Sequence, residues 1–384
     1  GADGAPEAMA LDLRRRAAEQ LFACGDEAQG LLLLRAVLAG HGLSYPESHA
    51  AARLSLTLHL AWLRVRGTAF SPRAERRIPA EVRARIGAAW SAGRALGATD
   101  ALRAAVLLLE ALRLALEAGD AGHVAPGLAF TGSFLQRDCG ASARAGAMLA
   151  QAEQLGITLD APYPALFTRS CQALADLGAG RFQQARERLA DTEERWRAFG
   201  AACPWERSLG RAALLSALFA LGELAEHAHG ARAWRDEARA ARDAHAEAEA
   251  ALHLARSLLA QGEVPQARAL AEAARARSTT GALAATFPGA LAVEAACDLH
   301  EGKPQEAFAR LEGALPPLLA SSLLGAQALR IELSALRGTA ALGAADQGGS
   351  ATPGWLRVAE AAAQELAGEE RPHAAAGAAL LRAG

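Results

Sequence analysis

Lysine is all but missing from this chain: Lys303 is the only one among 40 basic residues, and the rest are arginine. Arginine bias of this kind is expected from genome composition before selection for carboxylate or phosphate recognition, although the guanidinium suits both. The scarcity also bears on nucleotide chemistry. A phosphate-binding loop needs Gly-Lys followed by Ser or Thr. The one lysine follows Gly302 but precedes Pro304, which lacks the magnesium-binding hydroxyl.

Aromatic residues make up only 5% of the chain, and Val and Ile are sparse and never alternate with polar residues. No strand pattern therefore competes with helix. Neither sign of charge prevails, with 40 basic and 42 acidic residues for a net charge of −2. That balance gives no electrostatic case for nucleic acid or an anionic membrane surface. The five cysteines, Cys24, Cys139, Cys171, Cys203 and Cys297, stand far apart and at no metal or redox spacing, so buried free thiols are expected. No charged segment followed by an apolar core opens the chain. The longest uncharged run, Gly313 to Leu329, contains Pro316 and Pro317 and falls short of a spanning helix. A cytoplasmic location is expected. The sequence begins with Gly1 rather than Met, with helix expected from near Glu7, which suggests a piece of a longer protein.

What is abundant is apolar sequence, 52% of the chain and mostly Ala and Leu, the strongest helix formers. The expectation is an all-α chain. Turn glycines stand at Gly140, Gly180, Gly222, Gly262 and Gly302, a period of about 40 residues. A fixed period of that length signals stacked helix pairs. The clearest unit places Phe167, Cys171 and Leu174 on one helix face. Gly180 supplies the left-handed turn. Phe182, Ala185 and Leu189 form the facing stripe. In the units at Gly262 and Gly302, Val264 and Pro304 replace Phe182, Ala267 and Ala307 replace Ala185, and Ala271 and Leu311 match Leu189. His227 occupies the alanine position of the Gly222 unit. Each of the three alanines is expected to be buried between its two helices.

The segment from Ser44 to Gly97 does not fit this register. Ser44 and Glu47 have capping-box spacing before a helix ending near Gly67. An arginine-rich loop then runs from Pro72 to Arg77, and Pro79 suits the first turn of the next helix. Gly338 to Gly354 reads as a flexible linker, with two helices near 354–367 and 371–382 to follow. The expected division is an N-terminal helical region over 1–120, repeats over 121–344, a linker over 345–353 and capping helices over 354–384.

The Gly-aromatic-x-x-Ala turn of Gly180, Phe182 and Ala185 resembles the tetratricopeptide repeat, in a long form with a period near 40. The fold class expected is therefore a tetratricopeptide-like α-solenoid of antiparallel helix pairs. The stretches at 17–43, 66–93 and 107–129 are similar to the C-terminal helical region of large bacterial serine/threonine protein kinases. There a kinase domain is followed by an AAA-type ATPase and then by tetratricopeptide repeats. Trp90, Asp100 and Arg103 fit a Trp…Asp-x-x-Arg pattern of that region. The resemblance implies a regulatory segment whose partner is a protein or peptide, the parent's own kinase or ATPase domain included. The family's catalytic motifs, a phosphate-pairing Lys, a His-Arg-Asp loop and an Asp-Phe-Gly metal ligand, are absent from this sequence.

Other candidate chemistry is weak. His227 and His229 are two apart, so they point to different faces of a helix, and neither a metal nor any cofactor is expected there. A surface or groove position is the expectation for them. His245 and His253 lie two helical turns apart, too far for one ion. The run Asp243 to Glu249 reads as a solvated helix face. Ser133 after Gly132 lacks a nucleophile-elbow context. Asp191, Glu193 and Glu194 sit at a helix end rather than in a shaped pocket. The six tryptophans, Trp62, Trp90, Trp196, Trp205, Trp234 and Trp355, are expected to anchor packing. No catalytic residue is expected in the chain. Two functional readings stay open: a protein-binding groove, or a pocket through which a small molecule regulates a signalling ATPase or transcriptional regulator. Arg169 is the candidate partner-binding residue. It is expected on the inner wall of the array between about 120 and 320, opposite the stripe through Phe167 and Leu174.

Overall fold

The structure is a computed structural model, and it describes residues 7–138, 143–200, 203–277, 287–320 and 326–384. Eighteen α-helices and no strand occur among them. The N-terminal region holds α1 (Glu7–Ala23), α2 (Glu27–Gly40), α3 (His49–Arg66), α4 (Ala80–Leu96) and α5 (Ala101–Ala118). Next come α6 (Ala121–Asp138), α7 (Ala143–Leu159), α8 (Pro162–Gly178), α9 (Phe182–Ala198), α10 (Pro204–Ala220) and α11 (Leu224–Ala241). The C-terminal half holds α12 (Ala244–Ala260), α13 (Val264–Arg277), α14 (Phe287–His300), α15 (Pro304–Ala320), α16 (Gln327–Asp346), α17 (Thr352–Gly368) and α18 (Pro372–Ala383).

From α4 onward each helix packs on the next, as a solenoid of antiparallel pairs requires. The turns follow from glycine. Gly180, Gly222, Gly262 and Gly302 have φ of +78°, +77°, +83° and +71°, and a helix starts two residues after each of them. That left-handed backbone costs glycine nothing and any other residue strain. Gly140 and Cys139 lie outside the described residues. Ala185, Ala267 and Ala307, five residues after their glycines, are all fully buried. Leu189, Ala271 and Leu311 are buried beside them.

The first helices of successive pairs also touch each other, α6 on α8, α8 on α10, α10 on α12, α12 on α14 and α14 on α16. Among the described residues the second helices form no comparable row. Closer spacing puts the first helices on the inside of the curve. Arg256 on α12 reaches Glu332 on α16 at 2.6 Å, skipping a whole pair, so the curve is tight there. The chain also closes on itself. Arg371, before α18, donates to the Gln136 carbonyl on α6 at 2.6 Å and to Gln327 on α16 at 2.7 Å. The neighbouring His373 ring meets the Phe182 ring at 5.5 Å, tilted by 58°.

Three local expectations are corrected. The cap of α3 is Ser48, whose hydroxyl accepts from the Ala51 amide, and not Ser44. Pro46 disfavours helical backbone at the preceding Tyr45, so no helix starts at Ser44, while Glu47 pairs with Arg35 instead. The stretch from Gly338 to Asp346 is helical, the last part of α16. Its small residues admit close packing: a side chain at Gly338 would collide with Leu381 and crowd Ala362. Only 347–351 separates α16 from α17. Finally, Asp243 to Glu249 is not a solvated face, because every residue in it is buried or half-buried. Asp243 caps α12 through the Ala246 amide at 2.9 Å, and Glu247 pairs with Arg239 at 2.9 Å.

Candidate interaction groove and buried polar sites

Helix α8 is packed on nearly every face. Leu166, Phe167, Thr168, Ser170, Cys171, Ala173 and Leu174 are all buried, as the stripe through Phe167 and Leu174 requires. Only Pro162, Ala165 and Arg169 are exposed, with Gln172 half-buried in line with them. This strip floors a groove of about 470 Å³ whose walls are α7 and α9. Ile157 of α7 stands 67% exposed at its edge, an uncommon position for so large an aliphatic side chain with no neighbour over it. Phe199, just after α9, lines the other side with Arg195.

Arg169 therefore lies in a groove, but on the side of the second helices α7 and α9 rather than on the inner row of first helices. Helix α4 packs across the N-terminal ends of α8 and α10, with Trp90 edge-on to Phe167 at 5.6 Å and Gly97 against Trp205. The Arg169 guanidinium pairs with Asp191 at 2.8 Å, and Arg195 pairs with the same carboxylate at 3.2 Å. One carboxylate thus serves two arginines, and a second carboxylate could bind without displacing it. Gln172 and Glu153, bonded at 3.1 Å, complete the polar side.

The other carboxylates noticed in the sequence are structural. Glu193 is buried and takes Arg211 at 2.8 Å, with Arg207 and Arg197 each at 3.6 Å. Glu194 is exposed. Ser133 is buried inside α6. Lys303 is exposed and pairs with Glu301 at 2.8 Å. Cys171, Cys203 and Cys297 are buried, and burial pushes the Cys203 thiol up to about 11. Cys24 is exposed, against expectation, because it falls in the turn between α1 and α2. All six tryptophans are buried or half-buried.

His227 departs most from the sequence reading. It is fully buried, while His229 points away and is exposed. The His227 ring bonds Ser257 through Nδ1 at 2.5 Å and meets His253 Nδ1 through Nε2 at 3.3 Å. His253 Nε2 in turn faces the Glu249 carboxylate at 4.0 Å. Phe219 and Trp234 enclose the two rings. Burial, with Arg256 nearby, holds His227 down to about 4 and His253 well below its usual value. Burial pushes the Glu249 carboxyl up, opposed by Arg256. Neutral imidazoles satisfy one another here, which a polar group in a core requires.

Two further polar features had no visible motif. Arg94 of α4 donates to Glu206 of α10 through Nη2 at 2.8 Å within an ion pair whose shortest contact is 2.7 Å, and the Tyr163 hydroxyl of α8 donates to the same carboxylate at 2.7 Å. A second feature repeats. Asp176 and Asp298, each four residues before a turn glycine, are buried and pair with Arg188 and Arg310, each eight residues after it. The fixed offset from glycine is the signal that would have found them. Asp100 caps α5 through the Arg103 amide, and the Arg103 guanidinium holds the carbonyls of Pro46 and Glu47 at 2.6 and 2.8 Å. That gives two of the three residues in the Trp…Asp-x-x-Arg pattern a structural task, pinning the connection before α3.

Among the described residues no group of three or more His, Cys, Asp or Glu side chains could hold a metal ion. Among them, too, no helix is long and apolar enough to cross a membrane. Compared with known proteins, the chain matches no protein-family model and no curated sequence.

Proposed function

We propose that this chain is a non-catalytic interaction and regulatory solenoid of the tetratricopeptide kind, part of a bacterial signalling kinase or ATPase. Its α7–α9 groove receives a segment of a protein partner, the parent's own kinase or ATPase domain being the first candidate. The observation that supports this most is the groove itself: α8 leaves a single strip uncovered, and the groove over it sets the exposed apolar side chain of Ile157, from α7, beside the guanidinium groups of Arg169 on α8 and Arg195 on α9. An apolar anchor beside an arginine is the usual make-up of an interface centre. The segment it suits carries an apolar side chain for Ile157 and Phe199 and a carboxylate for the arginines.

The test is a titration of the chain with the parent's kinase and ATPase domains, using Arg169→Glu and Ile157→Asp variants. Both substitutions fall on exposed positions, so helix content and melting should be unchanged. Each should weaken binding at least tenfold, with the wild-type affinity falling as salt rises. Equal binding by both variants removes the groove from the interface. The volume and the two converging arginines also favour a second reading, a small anionic ligand. Saturation by a small carboxylate, with no binding of either domain, would select it.

A further inference from the structure

Helix α3 is apolar on two faces, and only one of them is covered. Leu63 is buried toward α5, with Leu56 and Leu60 half-buried on the same side. On the opposite side Ala51, Leu54, Leu58, Ala61 and Val65 are all exposed, Leu54 and Leu58 by 60% each and Val65 by 90%. Their spacing is three, four, three, four. That is the heptad pattern by which one helix packs along another, kept for the full length of α3. A helix apolar all round is ordinarily buried all round.

The charges beside this stripe are of one sign. The sequence of α3 holds no Asp or Glu, while Arg53, Arg64 and Arg66 are all exposed, with Arg64 in the position that directly flanks the stripe. Arg66 is turned onto the backbone carbonyls of Gly67 and Ala69 and over the Trp62 ring. Arg53 and Arg64 have no carboxylate partner among the described residues. A second copy of the chain is a poor fit. In neither the parallel nor the antiparallel arrangement would α3 bring a carboxylate of its own to meet these arginines, so self-pairing gains no charge complementarity.

We infer that the outer face of α3 is a docking surface for an acidic amphipathic helix, one carrying apolar residues at heptad spacing with Asp or Glu beside them. This is helix-on-helix recognition, in which the apolar seam gives affinity and the flanking carboxylates meet Arg53 and Arg64. It lies apart from the α7–α9 groove and does not depend on it.

The probe is a labelled synthetic peptide of three heptads with Leu at both seam positions and Glu at both flanking positions. Its own Glu–Glu repulsion at neutral pH disfavours self-pairing. Titrated with the whole chain, it should bind, and binding should weaken with salt. Leu58→Glu should lower affinity more than tenfold with unchanged thermal melting, and Arg64→Glu should lower it and flatten the salt dependence. The same peptide with Lys in place of Glu should fail to bind. Arg169→Glu should have no effect, which separates this surface from the groove. Failure of the Glu peptide to bind, or equal binding by Leu58→Glu, overturns the inference. So does concentration-dependent self-association of the wild-type chain that Leu58→Glu abolishes, which would identify a second copy as the occupant.

Discussion

His227 stands where three other units place a fully buried alanine, five residues after the turn glycine. Its larger ring is tolerated because α12 offers Ser257 and His253 as partners. One proton order satisfies all three groups: Ser257 donates to His227 Nδ1, His227 Nε2 donates to His253 Nδ1, and the single His253 N–H, on Nε2, points toward Glu249. A proton added to either ring would place a cation in an apolar interface already under the influence of Arg256. The His227 pKa is accordingly depressed from 6.5 to about 4. The sign follows from linkage. The unfolded chain binds the proton first as pH falls, so stability is complete above about pH 6.5 and is lost on the way down to about pH 4. A shift of this size is worth about 3 kcal/mol at 1.36 kcal/mol per unit. Consider His227→Ala. At pH 7 it should cost roughly 2 kcal/mol, from lost packing and from Ser257 and His253 left without a partner. At pH 4.5 the wild-type chain has itself lost about 2.5 kcal/mol at this site, so the variant should be as stable as the wild type. Urea unfolding at the two pH values measures the difference. Trp234 fluorescence reports locally, its ring being 6.4 Å from that of His253, which matters in an array that need not unfold as one unit. Acid sensitivity shared by both proteins, such as that of surface carboxylates, cancels in the comparison. A gap between wild type and variant that stays constant from pH 7 to pH 4.5 would refute the reasoning.

Three other outcomes are expected. Glu206→Ala removes the buried carboxylate that holds the half-buried Arg94 guanidinium and the Tyr163 hydroxyl and should destabilise the chain by about 3 kcal/mol in urea unfolding, loosening α4 from α8 and α10; a loss below about 1 kcal/mol would show that the contact contributes little. Ala267→Leu should overpack the α12–α13 interface and lower stability by roughly 1–3 kcal/mol, whereas an unchanged midpoint would argue that the site has slack. The purified chain should show no ATP hydrolysis above a buffer control, since Lys303 is paired with Glu301 on the surface and precedes a proline; hydrolysis that disappears in Lys303→Ala would overturn the non-catalytic reading.

Some of this could be read without coordinates and some could not, for physical reasons. Helix and turn are local. A glycine between two helical stripes needs only its own φ, so Gly180, Gly222, Gly262 and Gly302 marked the turns correctly, and the alanines at a fixed offset marked the tight contacts. The same locality misled at Gly338 to Asp346, where small residues serve close packing among α16, α17 and α18 rather than freedom of the chain. It misled again at Ser44, where a spacing rule ignored the helix-breaking Pro46 two residues later.

Function depends on contacts between residues far apart in sequence, and there the pattern carries little. Nothing local distinguishes Arg94 and Glu206, 112 residues apart, from any exposed pair. Yet that pair joins α4 to α10, and α4 covers the aromatic side of α8 at Phe167, while α8 stays exposed only along Pro162, Ala165 and Arg169. The periodic part of the chain therefore sets which residues can be packed, and the aperiodic N-terminal helices decide which of them stay open. A substitution in α4 that breaks the Arg94 contact should on this argument expose aromatic surface around Phe167 and Trp205, while leaving Ile157 and Arg169 as they are. The open surface of the array is then set jointly by the periodic helices and by the helices that precede them, so trimming the chain to its periodic part would change what the array presents.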